Sequence, residues 1–207
     1  IVDIGSNDGN LLSNFKQIRR LGVTPEDIGK LAIKKGIPTL LKYFDKNTAN
    51  FIQKKYGKAK IITATNVFAH IDNITELMNN VLKVLKNDGV FVTESHYLMP
   101  LIKDLQYDTI YHEHLRYYSL TSLKNIFDKF KLEIIHAKEI PTHGGSIRVY
   151  VAKKNNYKKS KSIKKILNKE KKQLNRKKFL EFREKVVASK LQLLTVIKKI
   201  KDKKKLI

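Results

Sequence analysis

Within Tyr107-Asp108-Thr109-Ile110-Tyr111-His112-Glu113-His114-Leu115-Arg116-Tyr117-Tyr118 stand two histidines, two acids and four tyrosines. Imidazole changes charge near neutral pH, so this stretch is equipped for general acid/base work. A neighbouring Glu can orient an imidazole, and a Tyr hydroxyl can hydrogen-bond a carbonyl. His112 and His114 would share a face of an extended segment, which also raises a metal reading. The spacing is not H-E-x-x-H, and His143 is the only evident third ligand. Proton transfer or substrate binding is therefore the favoured reading, with no metal.

Three further stretches carry polar groups in places where ligands bind. Asp3-Ile4-Gly5-Ser6-Asn7-Asp8-Gly9 follows an apolar run and holds two glycines four apart. Such a turn lets backbone approach a ligand at the carboxyl end of a sheet. The pattern is G-x-x-x-G, not the G-x-G-x-x-G of a dinucleotide site. Asp3 and Asp8 suit a ligand with ammonium or sulfonium character. Asn66 and His70 lie in Thr63-Ala64-Thr65-Asn66-Val67-Phe68-Ala69-His70-Ile71, just past another apolar run. Pro141-Thr142-His143-Gly144-Gly145-Ser146-Ile147-Arg148 is first a hairpin signal, and its His, Ser and Arg could equally line a polar pocket.

The elements that must position these groups are legible from periodicity. Strands are expected at 1–4, 21–24, 39–44, 59–65 and 90–94. Helices are expected at 10–20, 26–35, 46–55, 74–85 and 121–130, and residues 97–118 read as irregular. Two last strands, 132–139 and 147–151, flank the Gly-Gly loop as an antiparallel edge hairpin. Strands alternating with helices predict an α/β fold with a parallel sheet.

The 207 residues include 43 Lys+Arg against 19 Asp+Glu, a net charge of +24, with 42% hydrophobic residues and no Cys. That hydrophobic content excludes wholesale disorder. The missing Cys excludes a disulfide scaffold or thiolate metal site within these residues and fits a cytoplasmic location. No apolar run is long enough to span a membrane. The charge is unevenly placed: residues 153–207 carry 22 basic and 4 acidic residues, so +18 of the excess belongs to this segment. The segment lacks Gly and Pro. Its Phe179, Phe182, Val186, Leu193, Ile197 and Ile200 make one stripe of an amphipathic helix. With 37 Lys, 6 Arg and no aromatic interleaving in the tail, the charge reads as a solvated helix face and argues against a nucleic-acid partner. A polyanion-directed enzyme and a non-catalytic binding fragment are the competing readings. The chain opens on Ile1 without Met, in what reads as a buried strand. A domain cut at its N-terminus is therefore expected, with domain boundaries at 1–152 and 153–207.

The strings "DIGSNDGNLL", "ATNVFAHI", "DTIYHEHLRYYSL" and "PTHGGSIRVYV", in this order, resemble the S-adenosylmethionine-dependent C-methyltransferases of deoxysugar biosynthesis. The resemblance covers residues 1–152 strongly and the tail weakly. It implies a class I methyltransferase (Rossmann-like) sheet followed by a long basic helical tail. It implies a cytoplasmic enzyme that methylates a nucleotide-linked keto-sugar at carbon. Asp3, Gly5, Ser6, Asp8 and Gly9 match the cofactor loop, and Asn66 and His70 match positions lining cofactor and active site. Tyr111, Glu113 and His114 match the Tyr-x-Glu-His group, with His114 as base, Glu113 fixing its imidazole, and Tyr111 or His70 donating to an enolate oxygen. His143, Gly144, Gly145, Ser146 and Arg148 match a loop near the sugar. The family's zinc-binding Cys motifs precede such a domain, so zinc is expected only outside these residues. Where the family has a ribose-binding acid, this chain has Thr24-Pro25, followed by Glu26 and Asp27.

Overall fold

The computed structural model describes residues 1–202. Seven strands form one sheet: β1 (Val2–Ile4), β2 (Leu21–Thr24), β3 (Thr39–Leu41), β4 (Ala59–Thr65), β5 (Leu85–His96), β6 (Leu132–Ile140) and β7 (Ser146–Lys153). Their order is β3-β2-β1-β4-β5-β7-β6. The first five strands run parallel, and β7 lies antiparallel between β5 and β6. The chain starts at β1, builds outward to β3, then crosses back to β4. That reversal leaves a crevice at the carboxyl ends of β1 and β4, the usual ligand position in open α/β sheets.

Strand alternation decides what each face does. Val2 and Ile4 join Ile62, Ala64, Phe91, Val149 and Val151 in the main core. The helices α3 (Lys46–Tyr56), α4 (Ile74–Val84), α6 (Leu120–Lys129) and α7 (Lys161–Gln173) supply Ile52, Met78, Phe127 and Ile166 to that core. On the opposite face Asp3, Thr63, Val92 and Tyr150 are successive register partners. There only α1 (Asn10–Ser13) and α2 (Gly29–Lys34), with Ile37, form a small second core through Leu12, Ala32 and Ile37.

Two expected helices are cut short for local reasons. The helix expected over 10–20 ends at Ser13, because the Asn14 amide donates to the carbonyls of Asn10 and Leu11 and Ser13 Oγ also donates to Asn10. Such local side-chain bonds compete with helix continuation. The tail is two helices, α7 and α8 (Arg176–Asp202), since Asn175 accepts from Lys178 N–H and caps the second. The segment read as irregular contains α5 (Leu98–Lys103) and a 3-10 turn over Tyr107–Thr109.

The start of the α6 helix is tied to α7 by one carboxylate. Glu170, almost fully buried, accepts from Tyr97 OH at 3.0 Å, from Thr121 N–H and Oγ1, and from Leu120 N–H. It therefore satisfies free N–H groups at the start of α6. The α8 helix buries no residue and touches the site region through Ser189, 3.2 Å from Tyr107 OH. No described helix is long and apolar enough to cross a membrane.

Candidate active site

A cavity of about 940 Å³ opens over the carboxyl ends of β1, β2 and β4 and extends along the uncovered sheet face to Arg148 and Tyr150. Asp3 lines it from the middle of β1, where its carboxylate accepts from Thr63 Oγ1 at 2.6 Å. Burial pushes the Asp3 carboxyl up to about 6, against the lowering effect of the Thr63 bond. A cation placed beside it would relieve that cost.

The loop after β1 is built tightly. Gly5 has φ +73°, and a Cβ there would meet Val67 Cγ2 at 2.4 Å, so the position admits no side chain. Ser6 lines the cavity, is buried, and its Oγ has no partner among the described residues. Asp8 and Gly9 behave otherwise. Asp8 turns outward to Lys35 at 3.0 Å, and that bond holds its carboxyl below the usual range. Gly9 packs its Cα against Ala32 and Ile37 at the start of α1. Neither reaches the cavity wall, so the expected direct contact from Asp8 and Gly9 is replaced by support of the turn.

Past β2, the chain leads Glu26 to the cavity mouth, while Asp27 pairs with Lys30 at 2.7 Å. Of these two acids, Glu26 lines the cavity beside Thr24 and Pro25 and Asp27 does not. Asn66, at φ +56°, lines the cavity and donates its backbone N–H to Glu94 at the end of β5.

His70, in a 3-10 turn over Phe68–His70, lines the same cavity. The 111–118 segment is stitched onto this turn. Tyr118 OH donates to Phe68, Leu115 N–H to Ala69, and the Arg116 guanidinium to Ile71 and Asp72. His70 Nδ1 lies 3.0 Å from the Glu113 carbonyl oxygen. A carbonyl only accepts, so this nitrogen carries the proton and a neutral His70 presents bare Nε2. His114 repeats the arrangement, with Nδ1 3.0 Å from the Thr109 carbonyl and Nε2 3.4 Å from Tyr111 OH. The two imidazoles have centroids 5.1 Å apart.

This corrects the expected role of Glu113. Its carboxylate lies 4.0 Å from the exposed His112, and the imidazole of His114 is fixed by Thr109, which also accepts from Tyr117 OH. Glu113 acts on His70 through its backbone. His112 stands in solvent, and among the described residues no His, Cys, Asp or Glu group is arranged to hold a metal ion.

The Gly-Gly loop divides. Arg148 lines the main cavity, and its Nε donates to Glu94 at 2.7 Å. His143 is exposed with φ +54°. Ser146 is fully buried, with its Oγ 3.3 Å from the Thr142 carbonyl. Gly144, Gly145 and Ser146 face a separate groove of about 410 Å³ beside α7. A Cβ at Gly145 would meet Pro100 Cγ at 2.6 Å, so this glycine serves close packing. Sequence reasoning missed Gln106, which accepts from His96 Nε2 at 3.0 Å and donates to the Gly144 carbonyl at 2.8 Å. It joins β5 to the loop, and no local pattern marks such a role.

Residues 1–137 match a family described as a methyltransferase domain, and residues 141–207 one described as a C-methyltransferase C-terminal domain. The chain is similar to C-methyltransferase NovU of Streptomyces niveus, 37% identical over 155 residues that make up 73% of this chain. It spans only 37% of that relative's length. Among solved structures, magnesium protoporphyrin IX methyltransferase ChlM of Synechocystis PCC 6803, with bound SAH, is similar at a TM-score of 0.57 and 11% identity, over 73% of each chain. The mitomycin 7-O-methyltransferase MmcR gives 0.58 and 15% identity, covering 73% of this chain and 48% of that one. At these identities the structures speak to the fold alone.

Proposed function

Because the chain belongs to the S-adenosylmethionine-dependent C-methyltransferase family, we propose that it methylates a carbon beside a ketone on a nucleotide-linked deoxysugar. The observation that supports this reading best is the junction of two features. One cavity holds a buried carboxylate with a raised pKa at one end and the carbonyl-anchored His70 along its wall, and the equally anchored His114 lies next to His70, 5.1 Å away between ring centroids.

The residues present fit S-adenosylmethionine. Asp3 would take the ammonium group, Glu26 the ribose hydroxyls, and the Gly5–Ser6 turn and Asn66 the remaining wall. When bound, the cofactor supplies an electrophilic sulfonium methyl to the substrate carbon.

The ketone acidifies the neighbouring C–H. His114, with Nδ1–H held by Thr109, offers Nε2 to remove that proton. His70, held at Nδ1 by the Glu113 carbonyl and 5.1 Å from His114 between ring centroids, would donate to the enolate oxygen only from Nε2. Tyr111 OH, beside His114 Nε2, is the second donor. Both imidazoles are aimed by backbone carbonyls, so their orientation costs little at the moment of reaction.

The test is product analysis with ¹³C-methyl-labelled cofactor and a nucleotide-linked keto-sugar. A new methyl resonance on a quaternary or tertiary sugar carbon supports the reading. An O-methyl resonance, or no transfer by a protein that binds the cofactor, contradicts it.

A further inference from the structure

The turn over Tyr107–Thr109 supplies the carbonyl that fixes His114, and one residue outside the cavity fixes that turn. The Thr109 carbonyl accepts from His114 Nδ1 and from Tyr117 OH, both at 3.0 Å. The turn closes on Gln106: Thr109 Oγ1 donates to the Gln106 carbonyl at 2.8 Å, and Thr109 N–H donates to the same oxygen at 3.3 Å. The Gln106 side chain reaches away from the turn. Its amide nitrogen donates to the Gly144 carbonyl at 2.8 Å, and its oxygen lies 3.0 Å from His96 Nε2. A carbonyl only accepts, so the Gly144 bond sets the orientation of the amide, and His96 must carry a proton on Nε2.

Two backbone features belong to the same arrangement. Leu105, immediately before Gln106, stands at φ +55°, a left-handed conformation that is an outlier for a bulky side chain. Such strain persists only where the surrounding structure enforces it, and it gathers at functional sites. A Cβ at Gly144 would meet Gln106 Oε1 at 2.6 Å, so glycine there leaves the room that the amide takes. Gln106 borders neither the main cavity nor the groove beside α7. Its effect on the chemistry therefore runs through the turn. His96, the residue it holds on β5, is itself a neighbour of the base, with ring centroids 6.4 Å apart.

We propose that Gln106 is a positioning residue for His114. By tying the 106–109 turn to His96 on β5 and to the Gly144 carbonyl, it keeps the Thr109 oxygen where it holds Nδ1–H and leaves Nε2 bare. This rests on the reading of His114 as the base. Free imidazole favours the opposite tautomer, with the proton on Nε2, and that form cannot take a proton from substrate carbon through Nε2. Without the Gln106 clamp the Thr109 oxygen is released, and the inactive tautomer becomes populated.

Two variants test this. Gln106→Met keeps the length of the side chain and loses both hydrogen bonds; Gln106→Asn keeps the polar groups on a shorter arm that cannot span both partners. Ring-nitrogen ¹⁵N NMR at about pH 8, where imidazole is neutral, reports the tautomer, and the His114 signals are identified by their loss in His114→Asn. The wild-type protein is expected to show His114 as one tautomer with the proton on Nδ1. Gln106→Met should show a mixture of tautomers and lower kcat about 10- to 100-fold, with KM and S-adenosylmethionine affinity within about twofold. Gln106→Asn should move the tautomer and kcat in the same direction by less, and it decides the question if Gln106→Met does not fold. A His114 that keeps the single Nδ1–H form in the folded variants, whatever happens to Tm or kcat, overturns the positioning role and leaves the methyltransferase reading standing. A wild-type protein that binds S-adenosylmethionine but transfers no methyl group to a keto-sugar carbon would instead overturn that reading.

Discussion

His70 and His114 face each other with ring centroids 5.1 Å apart, and each has its Nδ1 3.0 Å from a backbone carbonyl of the 109–113 segment. The anchors are main-chain atoms, so the side chain of Glu113 is dispensable for aiming either ring. Replacing His114 with Asn is expected to lower kcat by about 10²–10⁴-fold, the usual worth of a general base. Cofactor affinity should remain near wild type. Glu113→Gln should cost less than about tenfold. Steady-state kinetics on the two variants checks this ordering, and equal losses would return the carboxylate to the mechanism.

Burial of Asp3 ties the stability of the fold to pH. Its folded pKa of about 6 lies above the ordinary 3.8, so the folded state holds the proton more tightly than the unfolded chain. Its contribution is fully present below pH about 4 and is lost as pH rises through about 6. The loss is on the order of 3 kcal/mol. Asp3→Asn should therefore raise the apo protein's Tm at pH 7.5 by roughly 6–12 °C and change little at pH 4. The same variant should bind S-adenosylmethionine at least about tenfold more weakly, since it loses a charged partner. Thermal melts at the two pH values, with and without cofactor, measure both effects.

Glu26 and Asp27 are neighbours with different surroundings: one lines the cavity, the other pairs with Lys30. Glu26→Gln should weaken the cofactor by about 1.5–3 kcal/mol, the worth of hydrogen bonds to a charged group. Asp27→Asn should leave it within about twofold. Calorimetric titration of S-adenosylmethionine into both variants tells them apart.

Glu170 holds α7 against α6 and Tyr97 by four hydrogen bonds. Glu170→Ala would strand buried donors at Tyr97, Leu120 and Thr121, and is expected to destabilise by about 3–5 kcal/mol. Glu181→Ala on α8, where the carboxylate meets Lys178 near the surface, should cost less than about 1 kcal/mol. Urea denaturation of the pair measures the difference.

The parallel sheet, the edge hairpin and the turn after β1 were legible because alternation, glycine spacing and apolar runs are local signals. The positions of Gly5, Asn66 and His70 around one cavity followed from their places at strand ends. What escaped depends on partners distant in sequence. Asp8 reads like a ligand until Lys35, 27 residues away, takes its carboxylate. The fixing of His114 by Thr109 uses a main-chain oxygen, which no side-chain pattern announces. The Gly144-Gly145 pair resembles a ligand loop but is required by contacts with Gln106 and Pro100. The break at Asn175 shows how one side-chain cap divides a stretch whose composition reads as a single helix.

The central claim is that His114 removes a proton from carbon before the methyl group moves. The direct measurement is loss of substrate C–H in D₂O, followed by proton NMR with a nucleotide-linked keto-sugar and S-adenosylhomocysteine in place of the methyl donor. The wild-type protein is expected to exchange the proton beside the ketone, and His114→Asn to lose that exchange. Exchange that persists undiminished in His114→Asn would contradict the assignment of this base.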